Sequence, residues 1–139
     1  MKVCFIVDED LCWNLSILNK TIPILIKNKI IIKKIWICPK KLSNLKGNKI
    51  YLWYLRIFGF YNFIILGLFY LTVLFRNFIN DEHSFKKISK KYKINIEFVK
   101  NPNKKKIVNY IKKENINLGF CLTDHIFKKN ILKINKFII

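Results

Sequence analysis

At 139 residues, with 52% apolar and 25% charged side chains, the chain is one domain's worth of sequence able to bury a core, and general disorder is excluded. Four cysteines are too few for a disulfide scaffold at this length. Lys+Arg number 27 against 8 Asp+Glu, a formal charge of +19, but 25 of those cations are Lys and only Arg56 and Arg76 are Arg. There is no Ala or Gln, and Ile, Lys and Asn make up 67 of the 139 residues, so much of the basicity reads as base-composition drift in an A/T-rich genome. Dedicated phosphate-binding surfaces use Arg for its bidentate geometry. Scattered lysines are expected to give only weak, salt-sensitive binding to polyanions.

The run Lys2–Val7 predicts a first strand, ending in the acidic cluster Asp8, Glu9 and Asp10. Leu11, Leu15, Leu18, Ile22 and Leu25 then recur at helical spacing, with Asp10 as the expected cap and Pro23 as an interruption or kink. Residues 30–38 are rich in β-branched side chains and predict a second strand, stopped by Pro39. A polar loop containing Gly47 follows. After the apolar segment 50–80, residues 80–84 form a helix-start cluster, and Phe85, Ile88 and Tyr92 mark a short Lys-rich helix. Residues 94–99 alternate, with Ile94, Ile96 and Phe98 on the inward face of a third strand. Asn101-Pro102-Asn103 is a turn and cap, and Ile107, Val108 and Ile111 define the inner face of a helix to about Glu114. Residues 118–122 (LGFCL) predict a fully buried strand, in which Gly119 suggests close approach of a neighbour. Thr123, Asp124 and His125 form a loop, 126–132 a short helix or turn, and 136–139 the start of another strand.

Cys4, Cys12, Cys38 and Cys121 form no C-x-x-C pair, and three of them lie inside strand-like runs. They are expected to be buried, reduced thiols, and with His83 and His125 far apart no metal site is drawn. The opening MKVCFIVDED has too short an apolar stretch, followed at once by acids, to be a signal peptide. A reduced cytoplasmic location is expected.

Between Arg56 and Arg76 lie nineteen uncharged residues, 57–75. As a helix they would measure roughly 28 Å, close to a bilayer's hydrocarbon core. Tyr51, Trp53 and Tyr54 resemble an interfacial belt. Interposition between strands of one sheet, basic flanks on both sides, and breaks permitted at Gly59, Asn62 and Gly67 favour helices packed on the fold. Contact with a membrane surface or partner, and a true span, are the other placements.

The alternation of strands and helices predicts an α/β fold with a mostly parallel sheet flanked by helices and an apolar helical insert near 50–80. No G-x-G-x-x-G follows the first strand, which excludes the dinucleotide and P-loop readings. Ligands of such sheets sit at the carboxyl ends of the strands, so the candidate site comprises residues 8–10, 39–41, Asn101 and 122–127.

KVCFIV near the amino terminus, KYKINIEFVKNPNKKKIVNYIKKENIN, and the closing KKENINLGFCLTDHIFKKNILKINKFII together resemble the N-terminal half of the folate-dependent formyltransferase family. Asn117-Leu118 opens the family's apolar strand, and 125–128 and 131–135 stand where its two proline-containing patterns stand, with Lys128 and Asn135 in place of the prolines. The resemblance implies a single, partial domain over 1–139 with an incomplete Rossmann-like formyltransferase fold. It implies transfer of a formyl group from 10-formyltetrahydrofolate to a primary amine, on an amino sugar nucleotide or an aminoacyl-tRNA. The family's pterin-lining loop falls on Leu122, Thr123, Asp124, His125, Ile126 and Phe127. Its catalytic Asn and His would lie a few residues beyond Ile139 and its Asp farther on, so no catalytic residue is assigned and the isolated chain is expected to be inactive. The alternative is a small basic membrane-associated or interaction protein without enzymatic activity.

Overall fold

The computed structural model describes residues 1–40, 45, 48–80, 84–132 and 136–138. In chain order the elements are β1 (Lys2–Asp8), α1 (Trp13–Lys27), β2 (Ile31–Cys38), α2 (Asn48–Ile79), α3 (Phe85–Tyr92), β3 (Ile96–Phe98), α4 (Lys105–Lys113), β4 (Leu118–Leu122), α5 (Lys129–Leu132) and β5 (Lys136–Ile138). The strands form one five-stranded sheet of order β3-β2-β1-β4-β5. Every pairing is parallel. The expected α/β architecture with a parallel sheet flanked by helices is therefore present. Lys41, Gly47, residues 81–83 and 133–135, and Ile139 lie outside the described residues.

β1 is the central strand, buried on both faces from Val3 to Asp8, which is why its sequence is a continuous apolar run rather than an alternating one. On one face Val3, Phe5, Val7, Ile35 and Ile37 pack against α1 and α3 through Leu15, Leu18, Ile22, Phe85 and Ile88. On the other, Cys4, Ile6, Trp36, Cys38 and Cys121 pack against Ile107 and Ile111 of α4. All four cysteines are free and buried, as expected. Burial pushes the thiols of Cys4, Cys38 and Cys121 up to about 12.

The pairing of β1 with β2 contains a bulge. Val3 faces Ile32, but Cys4 faces Lys34, so Lys33 is the extra residue. Lys34 consequently shares the α4 face with Trp36. There its Nζ lies 2.6 Å from Glu97 and 4.9 Å from the Tyr110 ring centroid.

α1 runs through Pro23 as one helix, without interruption. Two local expectations change. β4 is only half buried, because Leu118, Phe120 and Leu122 lie on a face incompletely covered by helices, although Phe120 stacks on Phe5 at 4.9 Å. Phe98, expected inside, is 55% exposed, because β3 is an edge strand of three residues and the hydrophobic cluster beneath α3 reaches only to Ile96.

The largest correction concerns α2. Its packing on the fold is sparse: Val73 and Asn77 are its buried residues, and only 6% of its most apolar stretch is buried. The faces of β1 and β2 are already occupied by α1, α3 and α4, and α2 lacks a polar side to turn outward. Among the described residues it is the one helix long and apolar enough to cross a membrane by length and composition. The chain leaves helical geometry at Gly59 (φ 71°, ψ 166°), one of the expected break points, in a region open essentially to glycine alone. The break separates a limb of 48–58 from a limb of 60–79. Trp13 of α1 stacks on Phe69 of the second limb at 5.4 Å. The Asn77 amide donates to the Leu11 carbonyl at 3.2 Å.

Candidate functional site

The strand order reverses between β1 and β4: connections run outward from β1 through β2 to β3, then return across the sheet to β4. Such a switch point opens a crevice at the carboxyl ends of the two strands. A cleft of about 250 Å³ lies there, bordered by Asp8, Asp10, Asn14, Lys40, Leu122 and Thr123, with Asp124 and the rings of Trp13 and Tyr54 completing it.

Asp8, the last residue of β1, holds the loop that follows β4. Its carboxylate accepts a short hydrogen bond from the Thr123 hydroxyl and one of 3.0 Å from the Asp124 amide. The His125 amide donates in turn to the Thr123 oxygen at 3.2 Å. Burial raises the Asp8 carboxyl above its ordinary value, and the bonds from Thr123 and Asp124 offset this only in part.

Cys12, not the expected Asp10, is the cap residue of α1, but Asp10 serves the helix start from two residues before it: one oxygen accepts from the amides of Cys12 at 2.8 Å and Trp13 at 2.7 Å. Its other oxygen accepts from Lys40 Nζ at 2.9 Å. Burial acts to raise this carboxyl too, but the Lys40 ammonium and the amides outweigh it and hold Asp10 low. Lys40 is raised in return: the Asp10 carboxylate overcomes the desolvation that acts to lower it. Two carboxylates on one cleft are thus driven in opposite directions by their surroundings.

The six residues of the expected loop divide. Leu122, Thr123 and Asp124 border the cleft, and Asp124 is exposed. His125 is buried, and its Nε2 lies 3.1 Å from the Pro39 carbonyl oxygen. That oxygen can only accept, so this ring nitrogen carries the proton. Ile126 is 88% exposed, and Phe127 packs into the cluster beneath α4. Of the other expected residues, Glu9 is exposed and Asn101 accepts from the Asn103 amide at 2.9 Å, closing a turn.

Two asparagines outside the expected site, Asn14 and Asn103 (the latter read from sequence only as part of a turn and cap), join the elements. The Asn14 side chain donates to the carbonyls of Asp8 at 3.0 Å and Leu122 at 3.1 Å, tying the ends of β1 and β4 together. The Asn103 side chain donates to the Ile126 carbonyl at 2.8 Å and accepts from the Lys128 amide at 2.7 Å, clamping the far end of the loop. Position after strand ends was the available signal for both, but 16 asparagines in 139 residues dilute it. Among the described residues, no group of three His, Cys, Asp or Glu could hold a metal ion.

Removing one of these ties has a calculable cost. Thr123→Val deletes the hydroxyl that serves the Asp8 carboxylate and is expected to lower stability by about 1.5–3 kcal/mol, the range for hydrogen bonds to charged groups. Urea denaturation measures the loss, and amide exchange at Asp124 and His125 should accelerate. Unchanged protection of both amides would show that Asp8 does not organise the loop.

Fold and cleft define the class: a parallel α/β domain with a polar crevice, rimmed by aromatic rings, at its switch point. No protein-family model matches the chain, and no curated protein matches it.

Proposed function

We propose that the chain is the cofactor-side part of a folate-dependent formyltransferase, binding the pterin ring of 10-formyltetrahydrofolate and a primary amine at the cleft between β1 and β4. The observation that carries this reading is the loop after β4, held by Asp8, Asn14 and Asn103 at the point where the strand order reverses. The resemblance of the closing segment to the formyltransferases falls on that same loop. A flat heteroaromatic ring needs an apolar wall with a few placed polar groups. Leu122, the rings of Trp13 and Tyr54, and the polar groups of Thr123 and Asp124 meet that need, whereas His125, Ile126 and Phe127 are directed elsewhere. At about 250 Å³ the cleft suits one bicyclic ring rather than a whole folate. Asp8 and Asp124 supply negative charge toward an incoming ammonium.

In the transfer, the acceptor nitrogen attacks the formyl carbon and the carbon's bond to N10 breaks. The proton lost by the amine passes to N10, leaving tetrahydrofolate and a formamide. The family's Asn and His that would stabilise the oxyanion have no counterpart within 1–139. The chain alone is therefore expected to bind without turnover, the acceptor being an amino sugar nucleotide or an aminoacyl-tRNA.

Titration with 5-formyltetrahydrofolate, which is chemically stable, tests the binding. Saturable quenching of Trp fluorescence is expected, weakened at least tenfold by Asp124→Lys, an exposed position whose side chain the fold does not use. A flat titration, or quenching indifferent to that variant, would overturn the reading. A non-enzymatic second reading, a basic membrane-associated protein, is favoured by one observation: the exposure of α2. Under either reading the Lys-rich surface gives weak polyanion binding that moderate salt removes.

A further inference from the structure

We propose that α2 is a broken, non-spanning membrane anchor that enters one leaflet of an anionic bilayer and holds the β1/β4 cleft at the lipid surface. The inference stands apart from the formyltransferase reading, because it rests on α2 alone.

Exposure encircles the helix. Ile64, Ile65 and Leu66 are 45%, 48% and 37% exposed, and Leu68 and Phe69 a turn later are 59% and 47% exposed. Consecutive residues of a helix lie 100° apart, so the apolar surface covers every side. A protein partner or a second copy would cover one stripe and leave the rest in water, whereas hydrocarbon covers all of it. Phe60 and Tyr61, beside the break, are the most exposed, at 73% and 76%.

Two polar side chains of this stretch hydrogen-bond to the helix's own backbone, which suits a lipid environment. The Asn62 side chain donates to the Phe58 carbonyl at 3.0 Å, serving an oxygen next to the break. The Thr72 hydroxyl donates to the Phe69 carbonyl at 2.7 Å.

The break leaves each limb short for a span. The uncharged part of the second limb, 60–75, measures roughly 24 Å, and that of the first limb is shorter, against a hydrocarbon core of about 30 Å. The limbs also turn toward one another: Tyr54 of the first borders the cleft beside Trp13, and Trp13 stacks on Phe69 of the second. Tyr54 and Tyr70 both lie within reach of Lys40, beside the cleft. The break is therefore the leading tip, and the cleft stays near the base.

Charge selects the lipid. Lys49 and Arg76 lie at the base of the two limbs and are exposed, on a chain of net charge +19, while Arg56, three residues before the break, reaches back toward the headgroups and limits how deeply the tip enters. Such flanks favour an anionic leaflet and are screened by salt.

Flotation of the full chain with vesicles tests the proposal. On phosphatidylcholine containing phosphatidylglycerol, the floated fraction should exceed that on phosphatidylcholine alone at least tenfold, and salt should reduce it. The double variant F60E/I64E should lose at least tenfold while keeping the wild-type circular dichroism spectrum, since neither residue is buried. In the unmodified chain, brominated lipids should quench Trp fluorescence, a readout that does not depend on any variant folding. Failure to float on anionic vesicles, or flotation unaffected by F60E/I64E, overturns the proposal. So does a stable dimer that the double variant converts to monomer without any vesicle binding, which would assign the apolar surface to a second copy.

Discussion

Trp36→Ala is expected to remove about 3–5 kcal/mol of folding stability, the range for emptying a large aromatic site in a core. Trp36 is 1% exposed and lies on β2, in register with Ile6 of β1 and Glu97 of β3. Its ring meets Tyr110 edge-on at 5.5 Å and lies 5.8 Å from the Lys34 ammonium. Alanine there withdraws the largest side chain from the α4 face and leaves a cavity between β1, β3 and α4. Stability of a natural domain totals about 5–15 kcal/mol, so the variant should be close to unfolding at physiological temperature. Chemical denaturation followed by circular dichroism measures the change, and Trp36→Phe should recover more than half of it. A loss under about 1 kcal/mol for alanine would mean that the α4 face is not a packed core.

Glu97→Gln is the second large effect, at about 2 kcal/mol. Glu97 accepts from Lys106 at 2.8 Å and from Lys34 at 2.6 Å. Lys34 keeps only 10% of its side chain exposed, so the variant leaves a nearly buried cation without its carboxylate. The hydrogen bonds from Lys106 and Lys34 hold the Glu97 carboxyl down to about 2, against an ordinary 4.5. A carboxyl with a lowered folded pKa stabilises the fold above its unfolded value, and that contribution disappears as pH falls through the folded one. Wild-type stability should therefore decline between about pH 4.5 and 2 by an amount that solvent screening of a partly exposed group reduces to about 1–2 kcal/mol. The glutamine variant should lack that part of the decline, so the two curves approach one another at low pH. Parallel curves over that window would show that Glu97 does not act as the counter-charge. Lys34→Met combined with Glu97→Gln should recover much of the loss, because a methionine keeps the packing against Trp36 and Tyr110 without a charge to satisfy.

The strand and helix succession was legible because its signals are local. β1 and β2 are dense in apolar and β-branched residues, and Ile107, Val108 and Ile111 repeat at helical spacing. The position of Asp8, Asp10 and the loop after β4 at one end of the sheet follows from that succession and the rule for parallel sheets. The bulge at Lys33 was not legible, because IIIKKIWIC carries no alternation from which a one-residue shift could be read. The roles of Asn14 and Asn103 depend on partners distant in sequence, Leu122 and Ile126, which no window of neighbours contains. Exposure of α2 was missed for a related reason: an apolar run reports that water is unfavourable, not what replaces it.

The place of β1 in the sheet orders the events of folding. It precedes the other four strands of the sheet in sequence, and it pairs with β2 at residues 31–38, but its other edge pairs with β4 at residues 118–122. The Lys2 amide likewise meets the Asn117 side chain, 115 residues away. On the ribosome, one edge of the innermost strand therefore stays open until residues 118–122 have been made, while the apolar α2 is already outside the sheet. Domains with such late long-range pairings fold slowly and expose sticky edges while they wait. For this chain the interval between synthesis of β2 and of β4 is the period in which a chaperone would matter most.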